Sequence, residues 1–134
     1  MNLKPWHKFL LVLVAFGIAG VGFMIKLPSY FSGHDKELHT IFYFLAAAFL
    51  NILFAGRNIA FHAIIFLLLY GFGVTIEYAQ QYSNIYFHTR IHGNADPEDI
   101  HANLLGLIGF SCLWFLYIII FFISASVKKE NSTK

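Results

Sequence analysis

Residues 100–127 read IHANLLGLIGFSCLWFLYIIIFFISASV, a run of 28 residues without an Asp, Glu, Lys or Arg. A helix needs roughly 20 apolar residues to cross the hydrocarbon core of a bilayer. Within that core the backbone must satisfy its own hydrogen bonds, which a helix does. The run therefore predicts a membrane-spanning helix. Working outward, the same test finds three more charge-free windows. Residues 58–76 and 38–56 hold 19 each, and 9–25 holds 17. The predicted spans are 9–25, 38–54, 59–76 and 100–123, so that 1–134 forms one all-α membrane domain, a four-helix bundle.

Composition agrees. Of 134 residues, 58% are hydrophobic and 12% charged, against about 25% charged in a typical soluble domain. The few charges are clustered between the windows. The first window also admits a cleaved signal peptide, with Lys4, His7 and Lys8 as its basic end. An h-region of about 7–15 residues ending in an A-x-A-like site is the rule there. This window is longer and runs into Met24-Ile25-Lys26-Leu27-Pro28, so a retained span is expected.

Orientation follows from lysines and arginines in the short loops. Four spans put Lys4, Lys8, Arg57, Lys128, Lys129 and Lys134 on one side, and Lys26, Lys36 and Arg90 on the other. Both termini are therefore expected in the cytoplasm. Asp35, Glu37, Glu77, Asp96, Glu98 and Asp99 fall on the outer side, leaving Glu130 with the termini. The outer face is thus chemically specialised. The single Cys112 lies inside the fourth window, which excludes a disulfide framework and a cysteine-based zinc site. Nothing in the chain points to nucleic acid as a partner. Oligomeric state is not legible.

Lipid gives helices no hydrophobic reason to associate, so small residues that permit close backbones are informative. Ala102 and Gly106 lie four apart, as do Ala15 and Ala19; Gly71 and Gly73 thin the third span and Ala46 to Ala48 the second.

The unusual chemistry gathers at the outer ends. Asp35, His39 and Tyr43 are spaced i, i+4, i+8, and Asp99, Asn103 and Gly106 are spaced i, i+4, i+7, so each set lines one helix stripe. Glu77 and Gln80 or Gln81 lie one turn apart at the end of the third span, and Lys36 and Arg90 supply positive charge. Capping accounts for part of this. Asp96-Pro97-Glu98-Asp99 is a good helix start, and Ser32-Gly33-His34-Asp35 another. Capping does not account for Glu77 at a helix C-terminus, nor for His39 and Asn103 one turn inside their spans. Polar groups there are costly and usually pair in a bundle interior or a wet cavity. Arg90 or Lys36 is the expected partner of Glu77. His62 carries little functional weight beside Arg57 and Asn58. The expected site comprises Asp35, Lys36, His39, Tyr43, Glu77, Gln80, Arg90, Asp96, Asp99 and Asn103, converging outside the cytoplasm.

The order Asp35-Lys36-x-x-His39-x-x-x-Tyr43, then Glu77-x-x-Gln80, then Arg90, then Asp96-x-x-Asp99-x-x-x-Asn103-x-x-Gly106 resembles the VanZ-like membrane proteins over about residues 30–125. The resemblance implies a multi-pass protein of the bacterial cytoplasmic membrane. The family takes its name from a protein that lowers susceptibility to the glycopeptide antibiotic teicoplanin. It carries no catalytic reaction with it.

Three functions are expected in descending order. The first is binding or modification of envelope lipids, cell-wall precursors or lipoglycopeptide antibiotics at the outer site. The second is an enzyme, with a divalent metal on His39, Glu77, Asp96 and Asp99 and a phosphate steadied by Lys36 and Arg90. No spacing matches a defined metal motif, so no metal ligands are assigned and the cofactor is left open. The third, an ion or proton pathway, would need ionisable groups through the full depth of the bundle.

Overall fold

The computed structural model describes residues 3–24, 34–88 and 95–131. Four helices run through them: α1, Pro5–Met24; α2, Asp35–Leu50, continued by a π-helical turn at Asn51–Ala55; α3, Ile59–Tyr86; and α4, Pro97–Asn131. Each is long and apolar enough to cross a membrane. At 1.5 Å per residue, α3 is about 42 Å long and α4 about 52 Å. Their outward faces carry large apolar side chains, among them Ile18, Ile52, Leu67 and Leu116.

The helices alternate in direction. The end of α1, the start of α2, the second half of α3 and the start of α4 share one end, here the polar end. The α2–α4 contact is the tightest. A Cβ on Gly106 would sit 2.2 Å from the Thr40 carbonyl oxygen, so the two backbones meet where only glycine fits. The Thr40 hydroxyl donates to the Ala102 carbonyl at 3.1 Å across the same seam. Ala102 and Gly106 thus form the close approach expected of them. Gly71 does not: a Cβ there would have nothing within 4 Å, because this glycine faces outward. Tyr43, Ala46, Ala47, Leu50, Ile65, Leu69 and Leu107 fill the centre.

At the opposite end the chain turns at Gly56, whose φ of 54° lies in the left-handed region. Asn58 caps α3, accepting from the amides of Ala60 and Phe61. Trp114 closes the turn by donating to the Gly56 carbonyl at 3.2 Å. Lys8 donates to the Leu53 carbonyl, fixing the start of α1 there.

Helices α1, α2 and α4 begin three to four residues before their expected spans, and two C-terminal boundaries differ further. The third helix runs ten residues past 76, and the fourth runs to Asn131. A charge ends an apolar window without ending a helix, and Gln80, Gln81, Lys128 and Lys129 are all compatible with helix. The 128–131 segment is accordingly helical.

Candidate functional site

Helix α2 enters the polar end with Asp35 exposed, His39 buried and Tyr43 fully buried, a stripe descending into the bundle. Helix α4 faces it with Asp99, Ala102, Asn103 and Gly106, all buried. Because Gly106 draws α4 against α2, the two stripes meet. The His39 Nδ1 and the Asn103 Oδ1 are 2.8 Å apart. With Oδ1 facing the ring, Nδ1 carries the proton and donates. The other ring nitrogen, Nε2, lies 3.9 Å from the Asp35 carboxylate and, in the neutral ring, turns its lone pair toward it.

Helix α3 contributes Glu77 and Gly73. Glu77 is 2% exposed. Its Oε2 accepts from the Asp96 amide at 3.3 Å, joining α3 to the start of α4. Gly73 makes room for its neighbours: a Cβ there would lie 2.8 Å from the Asn103 Nδ2 and 3.0 Å from the Tyr43 hydroxyl. Helix α1 closes the side. The Phe23 ring packs 5.2 Å from His39 and 4.9 Å from Phe42.

The expected residues divide into three groups. Asp35, His39, Tyr43, Glu77, Asp96, Asp99 and Asn103 come together at the polar end, and Lys36 sits at its mouth. Gln80 faces elsewhere: its Nε2 donates to the Phe23 carbonyl at 2.6 Å, tying α3 to the last turn of α1. Helix ends leave carbonyls without intrahelical partners, and Gln80 satisfies one. Arg90 lies outside the described residues.

Two expected interactions are corrected. Lys36 does not pair with Glu77. It lies 2.5 Å from Glu98 and 3.8 Å from Asp96, since it projects from the exposed face of α2 toward the start of α4. Nor is Glu77 at a helix terminus, because α3 continues to Tyr86; its cost is burial, not an opposing dipole. The capping role of Asp96 holds, its Oδ1 accepting from the Glu98 amide at 2.8 Å. Asp99 is not a cap but a buried carboxylate. His34 precedes α2 without a side-chain capping bond, and Ser32 and Gly33 lie outside the described residues.

Four buried polar atoms in this region have no hydrogen-bond partner among the described residues: the Tyr43 hydroxyl, Glu77 Oε1, Asp99 Oδ1 and Asn103 Nδ2. Such groups are rare in folded proteins and each calls for an explanation. Among the described residues Lys36 is the only lysine or arginine at this end, and it is already paired.

Beside the cluster, a groove of about 610 Å³ runs along the α2–α4 seam. Lys36, Glu37, Glu98 and His101 form its charged rim, and Ile41, Ala102 and Leu105 its apolar wall. Glu37 and His101 were not among the expected site residues, for neither interrupts an apolar stripe. A second polar knot lies at the opposite end. His62 Nδ1 is 2.8 Å from the Asn51 Oδ1, and its ring stacks on Trp114 at 4.2 Å and 2°. Asn51 in an apolar helix was its signal in the sequence.

No family model, curated protein or solved structure matches the chain.

Proposed function

We propose that this chain is a VanZ-like, multi-pass protein of the bacterial cytoplasmic membrane with both termini in the cytoplasm. At its extracytoplasmic end it binds the polar head of an envelope lipid, a lipid-linked cell-wall precursor or a lipoglycopeptide antibiotic. Three ligand sources share one chemistry, a charged or sugar-bearing head on an apolar tail.

The groove on the α2–α4 seam carries the proposal. Its charged rim and apolar wall are ordered as such a molecule is, head to tail. Lys36, exchanging its Glu98 partner for the ligand, provides the cation for a phosphate or carboxylate, and Ile41 and Leu105 provide the surface for an acyl or isoprenoid chain. Membrane residence is supported by the four long apolar helices and their outward Ile, Leu and Phe side chains. The VanZ-like assignment is supported by the ordered polar pattern of the sequence.

Detergent-purified protein is tested against undecaprenyl phosphate, phosphatidylglycerol and teicoplanin. Leu105→Trp fills the groove and Lys36→Gln removes its cation. Both should weaken binding of the true ligand at least tenfold. Equal binding by wild type and both variants, for all three probes, would sink the proposal.

Metal-dependent or phosphate-directed catalysis is the second reading, favoured by the meeting of Asp35, His39 and Asp99. Turnover of undecaprenyl-linked or phospholipid substrates distinguishes it from binding. A proton or cation path through one chain is disfavoured. Ala46, Ala47, Leu50, Ile65, Leu69 and Leu107 form an apolar layer between the two polar ends.

A further inference from the structure

We infer that Asp35, His39 and Asp99 form a binding site for a divalent transition-metal ion, with Asn103 as the residue that orients the imidazole. Each of the three offers one ligand atom, and these atoms lie within 4.8 Å of one another. Asp35 and His39 are one turn apart on α2, so they share a face. Asp99 comes from α4, which the Gly106 contact holds against α2. The ligands therefore rest on the most tightly packed pair of helices rather than on loops.

The imidazole is arranged as a metal ligand would be. A ligating histidine almost always donates its second ring nitrogen to an oxygen acceptor, which fixes tautomer and orientation. Here Nδ1 donates to the Asn103 Oδ1 at 2.8 Å. Nε2 is left with a lone pair facing the Asp35 carboxylate at 3.9 Å. With the ring neutral, these two acceptors make no hydrogen bond with each other, and a cation between them satisfies both. Metal–ligand bonds of about 2.1 Å hold neighbouring ligand atoms roughly 3.4 Å apart in a tetrahedron. Rotation of the exposed Asp35 side chain closes the difference.

A separate observation from α3 points the same way. Glu77 is 2% exposed and its Oε1 has no donor among the described residues. Its other oxygen accepts the Asp96 amide at 3.3 Å, one turn before Asp99, so the carboxylate sits beside the same cluster. Asp99, 9% exposed, likewise keeps an oxygen without a donor among them. Buried carboxylates are found paired or coordinating metals. Capping and helix packing explain neither of these oxygens.

One imidazole and two carboxylates favour Zn²⁺ or Mn²⁺ over Mg²⁺ and Ca²⁺, which take all-oxygen sets. Three protein ligands also leave a coordination position for an outside oxygen, as in catalytic zinc sites. The inference does not rest on the head-group binding proposed above, because metal binding is read without any lipid and either can fail alone.

The test uses the full chain without a histidine tag, stripped by chelator in detergent micelles and titrated with Zn²⁺, and with Co²⁺ for its visible absorption. One ion per chain is expected, with Co²⁺ bands that Zn²⁺ abolishes and Mg²⁺ does not. Asp35→Asn should weaken Zn²⁺ at least tenfold. Asp35 is more than half exposed, so this variant folds. His39→Gln and Asp99→Asn should abolish binding, and Asn103→Leu should weaken it about 10–100-fold, as loss of an orienting partner does. His34→Gln should change nothing. Absence of a stoichiometric ion in the wild type overturns the inference. So does an affinity that Asp35→Asn leaves intact, or one that depends on His34 rather than His39.

Discussion

At the scale of single residues, Glu77 is the most demanding side chain in the molecule. One of its oxygens accepts the Asp96 amide and the other has no donor among the described residues, in a place almost free of water. An ionised carboxylate left partly unpaired in such surroundings costs several kcal/mol. Glu77→Gln keeps an acceptor for the Asp96 amide and removes the charge. The metal-free variant is therefore expected to melt at or above the wild-type temperature in detergent. Glu77→Ala strips the Asp96 amide of its partner and leaves a cavity, and should melt lower, by about 2–4 kcal/mol of stability. If Glu77→Gln keeps the fold and loses binding of the ligand proposed above, the carboxylate serves function. If Glu77→Gln unfolds the protein, the cluster is an ion-pair knot that holds the bundle together. Helical spacing alone made Asp35, His39, Asp99 and Asn103 legible in the sequence. The ring-to-amide bond of His39 and the dangling Nε2 were not, because spacing sets a face and not a rotamer.

At the scale of elements, the seam between α2 and α4 positions everything else. Gly106→Ala would drive its methyl into the Thr40 carbonyl oxygen, and backbone cannot move aside as a flexible side chain does. Overpacking of this kind costs about 1–3 kcal/mol. Because the same seam aligns the two polar stripes, the variant should lose ligand and metal affinity together with stability. Gly71→Ala meets nothing within 4 Å and is expected within about 0.5 kcal/mol of wild type. Thermal melts of both variants check the pair, and equal losses would mean the helices are not held by that contact. Both glycines lie in apolar helices and looked alike in the sequence. Only Gly106 repeats a small residue four positions from Ala102, the spacing that lets backbones touch. The overlong α3 was hidden for a different reason. Glu77 ends an apolar window, whereas helix continues wherever backbone and side chains allow it, here five residues beyond Gln81 to Tyr86.

At the scale of the whole molecule, the alternation of four helices sets which groups can share a face of the membrane. Glu37 and Glu98 line one groove at the polar end, and Lys8 and Leu53 meet at the other. If all four helices cross, the two ends of the chain lie on one side. Under the orientation proposed above, which follows the excess of lysine and arginine near the termini, that side is the cytoplasm. Position-specific labelling reads this directly. The chain has one cysteine, Cys112, so Cys112→Ser gives a clean background. In it, Glu37→Cys and Lys4→Cys replace exposed residues at opposite ends. In intact cells a membrane-impermeant maleimide should label Glu37→Cys at once and Lys4→Cys only after permeabilisation. The reverse pattern would turn the site toward the cytoplasm and remove cell-wall precursors from its reach. Labelling of both from outside would mean that α1 does not cross. Helix α1 is the element for which this matters most, since its inward ties are few. They include Lys8 to the Leu53 carbonyl, the Phe16 ring on Phe72 at 5.1 Å, and Gln80 to the Phe23 carbonyl. Those ties place Phe23 against His39. Loss of the α1 crossing would therefore open the cluster from the side, and ligand affinity should fall with it.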